Sequence, residues 1–119
     1  MNPSERILGL DFFKPKPRMQ IMNGNYVLVR CTAAGVHVGI LVSRNGQEVH
    51  LREARRLWYW RVPCGAPAFL SGVATHGLGE QCKVGAPVEI ILTEACEVIA
   101  CTDQAADSIA NYPSHRRSV

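Results

Sequence analysis

The residues able to do chemistry are four histidines, five cysteines, a scatter of carboxylates and one dense run of arginines and aromatics. His37, His50, His76 and His115 raise metal ligation together with the cysteines, and His37 and His50 fall on stretches that read as pairing strands. No ligand spacing links them, however. Cys31, Cys64, Cys82, Cys96 and Cys101 contain no CxxC pair, and Cys96 and Cys101, five apart on a strand, point to opposite faces. An odd number without pairing also argues against a closed disulfide framework, so most of these thiols read as small buried hydrophobes. A cysteine nucleophile needs a stabilised thiolate and a base. Cys64, in a Pro/Gly loop after Arg61, is the most exposed-looking, and a free thiol or an intermolecular disulfide suits it better than catalysis. The glycines punctuate turns and form no phosphate-binding loop, and Glu89, Glu94 and Glu97 read as a solvated strand face. These residues assign no catalytic group, no metal ligand and no cofactor, and an enzyme is the least supported class.

The remaining candidate is the run in which Arg52, Arg55, Arg56 and Arg61 interleave with Trp58, Tyr59 and Trp60. Such a surface can stack bases and neutralise phosphate. It also has the composition of a protein-binding hot spot, where Trp, Tyr and Arg dominate. Strict alternation along a strand puts Arg56, Trp58 and Trp60 on one face and Arg55, Leu57, Tyr59 and Arg61 on the other. One face then packs into the core, and the other meets solvent or a partner.

Several elements must position this run. Asn23-Gly24-Asn25 signals a turn before the β-branched stretch Tyr26-Val27-Leu28-Val29-Arg30-Cys31, a first strand. A second strand covers residues 36–43, with Gly39 as its bend or bulge. Arg44-Asn45-Gly46-Gln47 carries the Asn-Gly hairpin signal, and residues 48–51 return. Residues 54–60 suit either helix or strand, and the aromatics with Pro63 favour strand. Pro67 opens a short helix through Ala74, with Phe69, Leu70, Val73 and Ala74 on its apolar face, and Gly77 and Gly79 end it. Two further strands follow at residues 88–92 and 96–100. Thr102 then N-caps a last helix over residues 104–110, with Asp103 in its first turn. The expectation is an α+β, mainly β fold: a small antiparallel β-barrel or bent sheet, an SH3-like meander of about six strands with two short helices.

A chain of 119 residues with 47% hydrophobic content supports one modest core. We place an extended N-terminal arm at 1–22, a compact domain at 23–110 and a basic tail at 111–119. The sequence has no apolar run of the roughly 20 residues that a membrane helix needs, and its start lacks a secretory pattern, which reads as soluble and unexported. The net charge of +3 is carried by the ends. Lys14, Lys16, Arg18, Arg116 and Arg117 lie there, whereas the segment between is close to neutral. Lys14-Pro15-Lys16-Pro17-Arg18 can form neither helix nor central strand. Before it, Ile7, Leu8, Leu10, Phe12 and Phe13 form an apolar cluster that should dock on this domain or on a neighbouring subunit.

The strings Tyr26-Val27-Leu28-Val29-Arg30, Ala34-Gly35-Val36-His37-Val38-Gly39, Leu41-Val42-Ser43-Arg44-Asn45-Gly46 with Glu48-Val49, and Ala54-Arg55-Arg56-Leu57-Trp58-Tyr59-Trp60 resemble a family of small tailed-bacteriophage proteins without an assigned activity. The likeness continues more weakly to about residue 110. It implies a phage origin and a compact domain, and it carries over no catalytic residue. Members of that family often start near Tyr26, which makes the arm an addition here.

The expectation that follows is a virion accessory protein of the capsid decoration or cement kind. It is made in the host cytoplasm and carried on the particle, and it contacts a major capsid or other virion protein and copies of itself. Its partner-binding residues would be Ile7, Leu8, Leu10, Phe12, Phe13, Lys14, Lys16, Arg18, Arg55, Trp58, Trp60, Arg116 and Arg117. The alternative is a non-virion phage protein that binds a host factor, a nucleotide signal or nucleic acid.

Overall fold

The computed structural model describes residues 21–117, so Ile7, Leu8, Leu10, Phe12, Phe13, Lys14, Lys16 and Arg18 lie outside the described residues. The elements are β1 (Tyr26–Cys31), β2 (Gly35–Asn45), β3 (Glu48–Tyr59), α1 (Phe69–His76), β4 (Lys83–Val84), β5 (Val88–Leu92), β6 (Ala95–Ala100) and α2 (Asp103–Ala110). The strands form one antiparallel sheet in the order β4-β3-β2-β1-β6, with β5 beside the first half of β3. The mainly β class with two short helices is as expected, but the sheet bends without closing into a barrel. Among the described residues no helix is long and apolar enough to cross a membrane.

Both faces of β1 are buried, which explains its unbroken apolar run. Val27 and Val29 face one core cluster with Leu41, Leu51, Ala54 and Leu92. Leu28 faces a second cluster with Val38, Leu57 and Val84, closed by Val73 of α1 and Ile109 of α2. The helices therefore close one of the two core clusters, and residues of β1, β2, β3, β5 and β6 make the other.

The two stretches expected at 48–51 and 54–60 are one strand of 12 residues. A bulge at Glu53, whose φ is 51°, joins them. Opposite it the β2 register runs from Val38 to Ile40 while β3 runs from Arg55 to Arg52. Gly39 fills the gap, because a Cβ there would lie 2.9 Å from the Ala54 Cα and 2.9 Å from the Arg52 carbonyl oxygen. The bend expected at Gly39 is thus present, with its extra residue on the partner strand. β4 was not expected, since two residues carry no periodicity to read.

The helix expected from Pro67 begins at Phe69 instead, because Phe69 has φ 66° and Ala68 offers no side-chain cap. Phe69 consequently swings out of the apolar face and is 79% exposed. The end at Gly77 is as expected, with φ 90° and its N–H on the Val73 carbonyl. Thr102 caps α2 by accepting from the Ala105 N–H at 3.1 Å, and its hydroxyl donates to the Thr75 carbonyl at 2.7 Å, tying the two helices together. Replacing Thr102 with alanine removes both bonds, and the unfolding free energy is expected to fall by about 1–2 kcal/mol, measured by urea denaturation.

Candidate functional site

The end of β3 carries the arginine and aromatic run, and two features sort it. The first is Arg55, which points into the helical side and is 2% exposed. Its guanidinium donates to the carbonyls of Gly85 at 2.8 Å, Ile109 at 2.8 Å and Tyr112 at 2.6 Å, and to the Ser114 hydroxyl at 3.0 Å. The acceptors are the loop after β4, at Gly85, the last turn of α2 and the chain beyond it. A buried cation here satisfies carbonyls that the helix leaves free and complements the negative end of its dipole. Burial pulls the Arg55 pKa below its usual value. Arg55 was expected to meet a partner, and the structure corrects this by spending its donors inside the fold.

The second feature is a bulge at Trp58. Leu57 pairs with Val84 and Tyr59 with Lys83, so two steps on β3 face one on β4. The alternation breaks there, and Trp58 and Trp60 do not share a face. Trp60, also a candidate for partner contact, is partly buried and packs against the helical core. Trp58 is turned outward at 67% exposure, with Tyr59 next to it at 50%. The Arg56 guanidinium lies 4.0 Å from the Trp58 ring centroid. Its other side rests on Gly35, where a Cβ would come within 3.3 Å of Arg56 Nη2. Arg56 thus lies close to both the Gly35 backbone and the Trp58 indole face, a cation–π arrangement. Sequence reasoning saw the residue types but left Arg56 and Tyr59 out of the candidate set. Three consecutive aromatics, which cannot all satisfy one alternation, were the available signal.

Beyond β3 a cleft of about 870 Å³ opens between the loops at 61–64 and 78–81 and the chain at 112–113. Its polar groups are matched with each other. Arg61 donates to Gln81 Oε1 at 2.9 Å, and the Tyr112 hydroxyl accepts from the Cys82 N–H at 3.0 Å and donates to the Gly79 carbonyl at 3.0 Å. Burial, with the Cys82 thiol beside it, raises the Tyr112 pKa. Cys64 is exposed at the lip, and no histidine is among the described residues lining the cleft. The other thiols differ: burial pushes Cys101 up to about 12 and raises Cys31 as well, which keeps both protonated.

The histidines are dispersed. β2 and β3 do pair, but His37 sits opposite Arg56 and His50 opposite Ser43. His50 bonds Glu89 across to β5 at 2.6 Å. No group of three His, Cys, Asp or Glu side chains among the described residues could hold a metal ion. His37 is buried, and its Nε2 donates to the Ala34 carbonyl at 2.9 Å. Burial lowers its pKa from 6.5, partly offset by that bond, and the Arg56 charge lowers it further. As pH falls below 6.5 the unfolded chain takes up a proton that folded His37 refuses, so stability should decline from there down to the folded pKa. Urea midpoints compared between about pH 7.5 and about pH 5 should show this slope, and His37→Gln should reduce it.

The tail expected from 111 onward is packed at first. Tyr112 N–H bonds the Ile109 carbonyl at 3.2 Å, and His115 N–H bonds the Val84 carbonyl at 2.8 Å, so the folded unit reaches His115. Arg116 and Arg117 follow it and are exposed.

No curated protein and no solved structure matches this chain. A family model described as a domain of unknown function matches residues 24–109, which span the sheet from the turn before β1 into α2, and the chain belongs to that family, DUF6948.

Proposed function

We propose that this protein is an accessory component of a tailed-phage virion, of the capsid decoration or cement kind, and that it works by binding other proteins without catalysis of its own. The observation that carries the binding reading is Trp58, bulged out of β3, 67% exposed and stacked under Arg56. A large apolar side chain held outward by its own strand costs solvation in the free protein, and it has the composition and rigidity of an interface anchor. The virion setting rests on the sequence resemblance to phage proteins and on the basic ends, which include the exposed Arg116 and Arg117. The partners in this reading are the major capsid protein or another virion protein, and copies of the chain itself.

Trp58→Ala tests the reading. Truncating an exposed side chain should leave stability within about 0.5 kcal/mol. It should weaken binding to emptied capsids of the source phage by about 30-fold, the effect of losing a hot spot of about 2 kcal/mol. The same cation and indole pair favours a second reading, a nucleotide or single-stranded nucleic-acid site. That reading predicts binding to oligonucleotides that collapses as salt rises.

A further inference from the structure

The outer edges of β5 and β6 have no strand neighbour among the described residues, and the two strands do not pair with each other. Both nevertheless pack on the same core, β5 through Leu92 and Ile90 and β6 through Ala95 and Val98. The sheet is therefore open along a seam whose floor is apolar. β5 is the more exposed margin, with Val88 and Ile91 each 55% accessible. An unpaired strand with exposed apolar side chains is a template for another strand. Residues 88–100 carry Glu89, Glu94 and Glu97 and no lysine or arginine.

The N-terminal segment has the complementary chemistry. Leu8, Leu10 and Phe12 alternate with Gly9 and Asp11, the period-two pattern of a strand with one apolar face. Lys14, Lys16 and Arg18 follow at once and match the acidic margin. Pro15 and Pro17 lack a backbone N–H and restrict their predecessors, so this sequence favours extended backbone of about 3 Å per residue. A spacer of that kind is long and stiff enough to carry the apolar stretch to a neighbouring copy.

We propose that residues 8–12 of a second copy of this chain add as a strand to the free edge of β5, with Leu8, Leu10 and Phe12 closing over the seam core and the basic stretch lying along Glu89 and Glu94. The edge and the arm are different surfaces of one chain, so the contact is reciprocal in a dimer, or propagates if each arm reaches a new copy. It involves a face remote in sequence from Trp58 and does not depend on that residue.

Sedimentation of the full chain over a concentration series tests the proposal. The wild type should self-associate, and Leu10→Asp and Val88→Asp, the latter on the β5 face shared with Ile90 and Leu92, should each weaken association at least about tenfold, an effect of about 1.4 kcal/mol. Near-UV circular dichroism should stay unchanged in both. Mixing the two variants should recover part of the association that each lacks alone, because the intact arm of one meets the intact edge of the other and one of the two reciprocal contacts re-forms. Trp58→Ala should self-associate like the wild type, so failure here and failure of capsid binding are distinguishable. A wild type that stays monomeric, variants that associate normally, or a mixture that recovers no association would overturn the proposal.

Discussion

Replacing Arg55 with methionine is expected to lower the unfolding free energy by about 3 kcal/mol, more than any surface change at the end of β3. Methionine is close in size and fills the space, so the loss isolates the donors. The carbonyls of Gly85, Ile109 and Tyr112 each lose a bond to a cation, and the Ser114 hydroxyl loses its donor. Bonds to charged groups are worth about 1.5–3 kcal/mol each before rehydration. The carbonyls nearest the surface recover water, which keeps the net well below the simple sum. Removing a buried cation also relieves its desolvation, a further offset. The chain from 111 to 115 should then loosen beyond Tyr112, because Ser114 loses its bond and His115 keeps a single one to Val84, whereas Tyr112 stays anchored on Cys82 and Gly79. Urea denaturation gives the stability, and faster hydrogen exchange at the His115 N–H reports the tail. An Arg55→Met protein with the wild-type midpoint would contradict this account. Arg55→Lys should recover little, since an ammonium cannot fork to four acceptors.

Gly72→Ala is the second large effect, and there two rules oppose each other. Helix propensity alone favours alanine by about 1 kcal/mol in mid-helix. Packing says otherwise, because a Cβ at Gly72 would stand 1.7 Å from the Pro67 carbonyl oxygen and 2.8 Å from Val62 Cγ1. Backbone cannot yield that distance by rotating a side chain, so α1 must shift from the loop at 62–67. We expect a net loss of about 3 kcal/mol. That loop also walls the 870 Å³ cleft, so the variant should alter the reactivity of Cys64 towards thiol reagents. Unchanged stability would mean that α1 is not seated as described.

Much of the architecture was legible because β-branched runs and turn residues report local geometry. The strand at Tyr26–Cys31, the strand at Val88–Leu92, the hairpin at Gly46, the bend at Gly39 and the Thr102 cap all follow from such signals. What could not be read depends on contacts between distant segments. The bulges at Glu53 and Trp58 arise from cross-strand register, and each shifts the alternation for the residues after it. Strict alternation misplaces Trp58 and Trp60 on one face for that reason, whereas it does place Arg55 with the buried Leu57, and what hides the role of Arg55 is that its acceptors lie 30 to 59 residues away. Phe69 left its helical face for a similar reason, since its positive φ is imposed by the turn and not by its own preference. The outward Trp58, the residue on which the binding reading rests, therefore emerges only once the register is known.

In the proposed virion role, Trp58 is the residue that fastens the protein to the particle. Quantitative mass spectrometry of purified virions tests it, with particles grown in cells that express either the wild-type chain or Trp58→Ala at equal levels. Stoichiometric wild-type protein is expected on the particle, with a loss of about 30-fold for the variant, which remains folded in the lysate. Virions without the wild-type protein, or with both forms in equal amount, would contradict it.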